Sequence, residues 1–416
     1  MAVQPRLLTE SMLATGWLLA DALVRWQSWS HRKVETVDLL PGARGRRRVS
    51  IDFTSPGVVW QPDDDAPLAE VVPLTFLTKS TLREFDLRDE GGNAVSMLPS
   101  AENGVLAAAA VAALLAVDRG DDFARRYWPR ILEVATVGPE EAELAAGELI
   151  LELGTDVVVS ALLRDLARNF LLLAVLPPDT GAPRRILKFS YHWDTDGAAA
   201  RRRPVRAGLG FSSIDVSVAL SSLDSAASFH LECAAPRGFQ AVELVLPSDR
   251  GGRTPRDLSG RVVSHAHGNY GWDEAKRSVP ALIRFTLDPA ALIVRVMWSS
   301  LAVAALFGLL LLMPGSLASL GSHIDPAVTL LVFFPAFLIV LGARENESSV
   351  VTRALWMLRS WSYLLALMLV VAGSMLVLDA PPSLISVSWW CFFTAPIVMF
   401  LVLLCGWLRI RVISRG

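Results

Sequence analysis

Four long apolar runs lie in the last third of the chain, and none contains Asp, Glu, Lys, Arg or His. They cover residues 297–313, 326–342, 361–378 and 385–408. An α-helix rises 1.5 Å per residue, so about 18 residues cross about 27 Å, close to the hydrocarbon thickness of a bilayer. The second run reaches that length only when Pro326 and Gly342 are included. The pattern predicts a C-terminal bundle of four transmembrane helices within residues 296–416.

Positive charge is distributed unevenly among the connections between these runs. Three arginines, including Arg353 and Arg359, follow the second run, and three more follow the fourth. The connections 314–325 and 379–384 contain neither Lys nor Arg. Because Lys and Arg accumulate on the cytoplasmic side, we expect a multi-pass protein of the cell membrane with both termini in the cytoplasm. Residues 1–295 then form a cytosolic domain.

The beginning of the chain, residues 1–30, has helical periodicity. Between Glu10 and Trp29, apolar residues including Trp17, Leu18 and Ala22 recur at three- to four-residue spacing. This spacing predicts an amphipathic N-terminal helix. Its apolar face is expected either to pack against the cytosolic core or to lie in the membrane interface.

Residues 31–168 begin with short β-like runs, of which Val49–Phe53 and Val71–Leu77 are examples. The turn-forming residues Asp89–Asn93 follow one such run and precede Ala94–Leu98. A cluster of Asp, Gly and Asn between two such runs is typical of a β-hairpin. We therefore expect a hairpin at this point.

The remainder of residues 31–168 predicts helices. The stretch Ala101–Val117 is almost purely Ala, Leu and Val after Gly104, which is too short to cross a bilayer and favours a buried core helix. Pro139 is followed by two glutamates, a combination typical of a helix start. Asp156 is a candidate N-cap for a further helix that ends near Leu166.

Residues 169–295 change to a two-residue period. In residues 229–233 and 241–244, polar and apolar positions largely alternate, as in a half-buried strand. Gly, Pro, Asp and Ser connect the runs, which favours an antiparallel sheet, with a sandwich as one candidate arrangement. The predicted fold class is an α+β cytosolic domain, with a helical middle and a β-rich second half, followed by the four-helix bundle. The predicted strands are Phe170–Leu176, Arg185–Tyr191, Asp215–Leu220, Ser228–Cys233, Ala241–Leu246 and Leu282–Leu287.

The junction between the two parts has no flexible linker. Leu292–Val296 looks like a last strand and continues directly into Met297 and Trp298. A Gly/Ser tether would decouple a domain from its helices, whereas a direct connection allows a change in the sheet to move the first span. We therefore expect Arg295 and Trp298 to couple the cytosolic domain to the membrane.

Composition narrows the class of protein. The chain has 416 residues, of which 52% are apolar and 19% charged, with a net charge of −2, so disordered and collagen-like classes are excluded. Three cysteines without a CxxC pair indicate a reducing compartment. The arginine clusters 44–48 and 201–206 lack interleaved aromatic residues, so no nucleic-acid partner is expected. They are interpreted as solvated loops, with anionic lipid headgroups as the alternative partner.

Candidate chemistry is sparse, because none of the common catalytic or nucleotide-binding motifs occurs in the sequence. The best metal candidates are His265 and His267, with Asp273 and Glu274 nearby. Alternation on a strand would point both imidazoles to the same side, as a metal site requires. The glycines and asparagine that follow equally favour an exposed loop. No catalytic residue and no cofactor is assigned.

Two weaker groups also contain metal-ligand residue types. His192 with Asp194 and His230 with Glu232 are pairs at i,i+2 on or beside predicted strands. They would converge only if their strands were neighbours in the sheet. The acidic run 63–65 lacks the glycine turn and the closing carboxylate of a calcium loop, so it is interpreted as solvated.

The sequence thus predicts a non-enzymatic integral membrane protein whose cytosolic domain binds a protein or small ligand. A signalling or effector role of the bacterial stress or defence type would suit this organisation. One alternative is an oligomeric effector that forms pores or disrupts membranes. The other is a membrane-bound, metal-dependent hydrolase. The expected partners are the lipid bilayer, an unknown ligand of the cytosolic domain and a second copy of the chain.

Overall fold

The computed structural model describes residues 7–40, 44–61, 68–79, 83–154, 157–177, 184–194, 204–220, 225–246, 256–257, 263–268, 280–290, 292–312, 349–378 and 380–413. Within them the chain forms a mixed α/β part, residues 7–290, which we call the head, and three long C-terminal helices. The helices of the head are α1 (Glu10–Val24), α2 (Trp26–Trp29), α3 (Ser100–Arg119), α4 (Asp121–Thr136), α5 (Pro139–Leu153), α6 (Val157–Arg168) and α7 (Pro204–Gly208). The C-terminal helices are α8 (Leu292–Leu312), α9 (Ser349–Val377) and α10 (Pro382–Ile413).

The strands of the head form three sheets. Their bounds are β1 (Ser30–Leu39), β2 (Arg44–Phe53), β3 (Val59–Trp60), β4 (Ala69–Thr78), β5 (Arg83–Arg88), β6 (Ser96–Met97), β7 (Asn169–Leu176), β8 (Arg185–Asp194), β9 (Ile214–Ala219), β10 (Phe229–Ala234), β11 (Phe239–Val245), β12 (Arg256–Asp257), β13 (Val263–Gly268) and β14 (Pro280–Leu287). The strand orders are β13-β10-β1-β2-β8-β5, β12-β11-β14-β9 and β3-β4-β7-β6. The β1–β10 pair is parallel, and the other pairs are antiparallel. The predicted mixture of helices and sheets is therefore present.

The largest sheet joins both halves of the head. Its strands β1, β2 and β5 come from the first half of the head, whereas β8, β10 and β13 come from the second. Directly opposed residues of neighbouring strands share a face, so the register places Val37, Arg47 and Cys233 on one face with the other buried positions. The opposite face carries half-exposed and exposed polar residues. One face of this sheet therefore covers two different cores.

The first core lies between the helices α1 and α3–α6, the sheet β3-β4-β7-β6 and one end of the large sheet. The helix α3 forms its centre, with every residue from Asn103 to Ala113 buried. Helix α3 is long and apolar enough to cross a membrane, yet it is enclosed by the head, as the expected core helix would be. The small residues of α1 allow it to approach closely, because a Cβ at Gly16 would overlap the Ala109 carbonyl.

The second core is shared between the head and the C-terminal helices. It contains the inner faces of β9, β11 and β14 and the other end of the large sheet, which pack face to face. The expected sandwich-like arrangement of these sheets stays a prediction. The second core also contains residues of α8, α9 and α10. Each of these three helices is long and apolar enough to cross a membrane.

Two local predictions were wrong. The arginine cluster 44–48 was interpreted as a solvated loop, but it forms the start of strand β2, and Arg47 is buried. Leu292–Val296 forms the start of α8 and not a strand. The run contains three β-branched residues and one arginine, and so short a run is compatible with either structure. The strand β14 ends at Leu287, and the Asp288 carboxylate then accepts a hydrogen bond from the amide of Ala290 (2.9 Å), which closes a turn before the helix.

The hairpin predicted at residues 84–98 forms only in part. The turn forms, since Asp89 and Asn93 are hydrogen-bonded through both backbone and side chains. The flanking strands then separate, because β5 pairs with β8 whereas β6 pairs with β7 in another sheet. Only a single bridge, between Arg88 and Ala94, connects the two sides of the turn.

The predicted spans differ in their outcome. The first, third and fourth runs lie within or almost within α8, α9 and α10. The second run, 326–342, lies outside the described residues. Helix α9 begins at Ser349, so Arg353 and Arg359, which were predicted in a connection, belong to the helix, and Arg359 is buried.

Candidate functional site: the junction between head and helices

The junction is built on a hydrophobic core that the head and the helices share. Ile293 and Val296 of α8 and Leu358 of α9 are at most 1% exposed, and so are Ile283 and Phe285 of β14. All belong to one contiguous buried cluster. Separating the head from the helices would expose these side chains, at a cost of about 25 cal/mol for each Å² of apolar surface. The junction is therefore a packed interface.

Glycines allow backbones to touch at the centre of this interface. A Cβ at Gly208, the last residue of α7, would overlap the carbonyl oxygen of Ala354 in α9. A Cβ at Gly406 in α10 would overlap the carbonyl oxygen of Leu209. Gly210 has φ +81° and also faces α10, so an L-residue there would be strained as well as crowded. The turn after α7 is thus held between two of the C-terminal helices.

Polar contacts fix the same interface. The Trp407 indole N–H donates to the carbonyl of Pro289, in the turn between β14 and α8, at 3.0 Å. The Arg411 guanidinium lies 3.9 Å from the centre of the Trp407 ring, a cation–π contact. A second indole, that of Trp361, donates to the Ser300 hydroxyl at 2.9 Å and joins α9 to α8. Each contact gives the packing a fixed register.

The two residues that the sequence indicated for coupling lie on the outer side of α8. Arg295 and Trp298 are exposed, Trp298 to 58%, whereas Ile293, Val296 and Met297 face the second core. A coupling role for Arg295 and Trp298 stays a prediction. The glycines and Trp407 were missed, because a small residue in an apolar run does not reveal which backbone approaches it.

The predicted metal candidates lie on the edge strand of the large sheet. The backbone register places His267 opposite His230 and His265 opposite Glu232. The rings of His230 and His267 are 4.6 Å apart, and His230 Nε2 is 2.9 Å from the Ser228 hydroxyl. Among the side chains that the structure describes, no group of three or more His, Cys, Asp and Glu residues is placed to hold a metal ion. The side chain of His265 and residues 273–274 lie outside the described part, so the metal assignment stays a prediction.

The other two weak candidates do not form a common site in the described structure. His192 and Asp194 are on β8, and the strands β2 and β1 separate β8 from β10, which carries His230 and Glu232. His192 Nδ1 instead lies 3.0 Å from the Glu84 carboxylate. The acidic run 63–65 lies outside the described residues.

Three buried charged side chains lie where the two cores meet, and the sequence did not reveal them. The Glu35 carboxylate is 3.2 Å from Lys33 Nζ and 3.7 Å from an Arg47 guanidinium nitrogen. Lys33 also donates to the hydroxyls of Thr75 and Ser225, and Arg47 donates to the carbonyl of Ala219. These contacts reach elements of both cores. We call this group the buried ion cluster (Lys33, Glu35 and Arg47).

Tyr191 lies next to this cluster. The Arg47 guanidinium is 5.9 Å from the centre of the Tyr191 ring, and burial raises the pKa of the Tyr191 phenol. The phenol is therefore neutral at physiological pH and adds no negative charge to the cluster.

Comparison with known proteins adds no functional information. Neither a known protein family nor any curated protein matches this chain in sequence. The packed junction is consequently the strongest structural indication of function.

Proposed function

We propose that the protein is an integral membrane protein in which a cytoplasmic head, able to bind a ligand or protein, signals through its C-terminal helices. The role is one of a non-enzymatic transducer or effector. Support for membrane insertion comes from α8, α9 and α10, each of which is long and apolar enough to span a bilayer. Support for transmission comes from the junction.

The lengths of the helices support an arrangement in which they extend from the membrane into the head. Helix α9 has 29 residues and α10 has 32, so at 1.5 Å per residue they are about 44 Å and 48 Å long. Both exceed the hydrocarbon thickness of about 30 Å. The end of each helix that packs on the head is the end that carries arginines, such as Arg353 and Arg411. Cytoplasmic placement of this end agrees with the distribution of positive charge.

The single observation that carries the proposal is the second core, which contains side chains from the head sheets and from all three helices. Packed cores do not deform continuously, so a rearrangement of β9, β11 or β14 must be accommodated by the helices. A flexible tether would absorb such a rearrangement. The four residues between β14 and α8 are too few to act as one.

A spin label in the helices can test this transmission. Val398 in α10 is exposed, so a nitroxide at Val398→Cys reports local motion, once the exposed Cys391 and Cys405 have been replaced by Ser. Leu244→Ala, in a buried position of β11, loosens the head by about 2–5 kcal/mol. We expect this change in the head to alter the nitroxide spectrum of the full-length protein in nanodiscs.

The same measurement is repeated in a Gly406→Ala protein, in which the new Cβ pushes α10 away from Leu209 and so weakens the contact between head and helices. In that background we expect Leu244→Ala to have a smaller effect on the label. Gly147→Ala in α5 is the control, since a Cβ there meets no atom within 4 Å. An unchanged spectrum with Leu244→Ala, or an equal change in both backgrounds, would show that the head and helices are independent.

A further inference from the structure

A cavity of about 600 Å³ opens in the first core, at a point where the ends of several elements meet. We infer that this cavity is a binding site for a small organic anion, a molecule with an apolar body and one phosphate or carboxylate group. It lies at the end of β4, beside β6 and the start of β7, and under the ends of four helices.

The walls provide an apolar surface for the body of the ligand. Met97, Leu98 and Ala107 line the cavity together with Leu166 and Phe170. The volume lies within the range of about 300–1,000 Å³ that is usual for small-molecule sites, which combine apolar walls with a few polar groups. A purely polar ion would leave most of this surface without a partner.

The polar groups of the cavity favour negative charge. Lys79 is the one ionisable side chain among the sixteen lining residues. Its ammonium donates to the carbonyls of Val134 (2.8 Å) and Val137 (3.0 Å), at the end of α4. An ammonium group has three N–H donors, so these bonds hold the cation in place and leave one donor for a ligand. A cation that is already fixed loses little conformational entropy on binding.

Two helix starts add to the same electrostatic preference. Helix α3 begins at Ser100 and helix α5 at Pro139, and both residues line the cavity. Neither helix has a side-chain hydrogen bond at its N-cap, Pro99 or Gly138. The first N–H groups of a helix lack intrahelical acceptors and carry partial positive charge. The C-terminal ends of α4 and α6 at the cavity carry partial negative charge, and the Lys79 ammonium is bonded to carbonyls of the α4 end. The preference for an anion therefore depends on the third Lys79 donor together with the two helix starts.

Asn103 contributes to the rigidity of the site. Its side chain is buried and donates to the carbonyl of Leu171 at 2.6 Å, which joins the first turn of α3 to β7 across the wall of the cavity. Hydrogen bonds within the protein thus hold Asn103 and Lys79 in place at the cavity. The cavity is separate from the second core, so the inference does not depend on the transmission proposed above.

Three probe molecules test whether binding requires the apolar body, the negative charge or both. Phenyl phosphate has both an apolar body and a charge, benzyl alcohol has only the apolar body, and inorganic phosphate has only the charge. Binding is measured by saturation-transfer NMR and calorimetry on the full-length protein in nanodiscs. We expect phenyl phosphate to bind at least about tenfold more tightly than either of the other two. Equal binding of phenyl phosphate and benzyl alcohol, or no binding of phenyl phosphate, would overturn the inference.

Two variants test whether phenyl phosphate binds in this cavity. Lys79→Met keeps the aliphatic stem and removes the charge, and we expect it to weaken phenyl phosphate binding by about tenfold or more. Lys188→Met is the matched control, because Lys188 is an exposed lysine of β8 outside the cavity, and it should leave the affinity unchanged. If both variants bind like the unmodified protein, the cavity is not the site.

A second variant keeps the test decisive if Lys79→Met does not fold. Ala135 lines the cavity and is half-buried, so Ala135→Leu reduces the volume while it retains Lys79. We expect phenyl phosphate binding to fall with Ala135→Leu in protein that retains its helical circular dichroism. Unchanged binding in this folded variant would exclude the cavity as the site.

Discussion

The two hydrophobic cores differ in what completes them. The first core is enclosed by elements of the head alone, with α3 at its centre and α1 and α4–α6 around it. The second core is bounded by two sheets of the head and by α8, α9 and α10. Removing the helices would leave the first core covered and the second core open. The difference indicates that the first core supports a cavity, whereas the second connects the head to the C-terminal helices.

The largest predicted effect follows from removal of the C-terminal helices. A chain that ends at Ala290 lacks one wall of the second core and exposes positions such as Ile283 and Phe285. We expect the amides of β9 and β14 to lose their protection from hydrogen exchange, while those of α3 remain protected. Exchange followed by mass spectrometry compares the two cores in the same sample. Equal protection of β14 in both chains would show that the second core is complete without the helices.

The next effect concerns the buried ion cluster, which lies between the two cores. Glu35→Gln leaves the cations of Lys33 and Arg47 without their carboxylate in a site that is almost fully buried. Breaking a buried ion pair typically costs about 3–5 kcal/mol. We expect a clear decrease in thermal stability, with loss of exchange protection in both cores.

Asp38→Asn is the matched control for this prediction. Asp38 is on the same strand, but its partner Arg48 is exposed, and the pair is separated by 2.9 Å. Exposed pairs contribute about 0–1 kcal/mol, so little change is expected. Similar effects of the two substitutions would mean that the buried ion cluster does not link the cores.

A smaller effect is expected at Gly406, where substitution by Ala should lower the thermal stability and not raise it. Replacing Gly by Ala inside a helix normally stabilises it by up to about 1 kcal/mol. At Gly147 in α5 nothing opposes this gain, whereas at Gly406 the new Cβ meets the Leu209 carbonyl. Overpacking of this kind costs about 1–3 kcal/mol. Gly147→Ala should therefore raise the thermal stability of the head, and Gly406→Ala should lower that of the second core. Two changes of the same sign would contradict the close backbone contact.

The sequence allowed the apolar C-terminal helices, the core helix α3 and most strands of the second half to be predicted. These elements depend on local period and length, which a single chain reveals. The pairing of β1 with β10 was not predictable, because its partners are 196 residues apart and no short-range signal specifies a parallel pair. The buried ion cluster was missed for the same reason, since Lys33 and Arg47 resemble surface charges until their strands are placed in the sheet.

The junction could be predicted only in part. The absence of a long linker before α8 was visible in the sequence, and the structure has four residues between β14 and α8. The contacts of Gly208, Gly210 and Gly406 depend on tertiary packing and not on local pattern. The cavity could not be predicted either, because its lining comes from six separate elements and their connections. Local pattern thus predicts elements, whereas both candidate sites arise where elements meet.

The smallest predicted effect is a pH dependence that belongs to the first core only. Burial lowers the pKa of Lys79 to about 8, below the ordinary value of 10.5 in the unfolded chain. Between these values the unfolded chain binds more protons than the folded one, so the free energy of unfolding increases as the pH rises through this range. Because Lys79 is only half-buried, solvent screening limits the gain to about 1 kcal/mol or less. Hydrogen exchange of α3 between pH 8 and 10, corrected for intrinsic rates, should show this increase in the unmodified protein and not in Lys79→Met. An equal slope in the two proteins would indicate that Lys79 titrates like an exposed lysine.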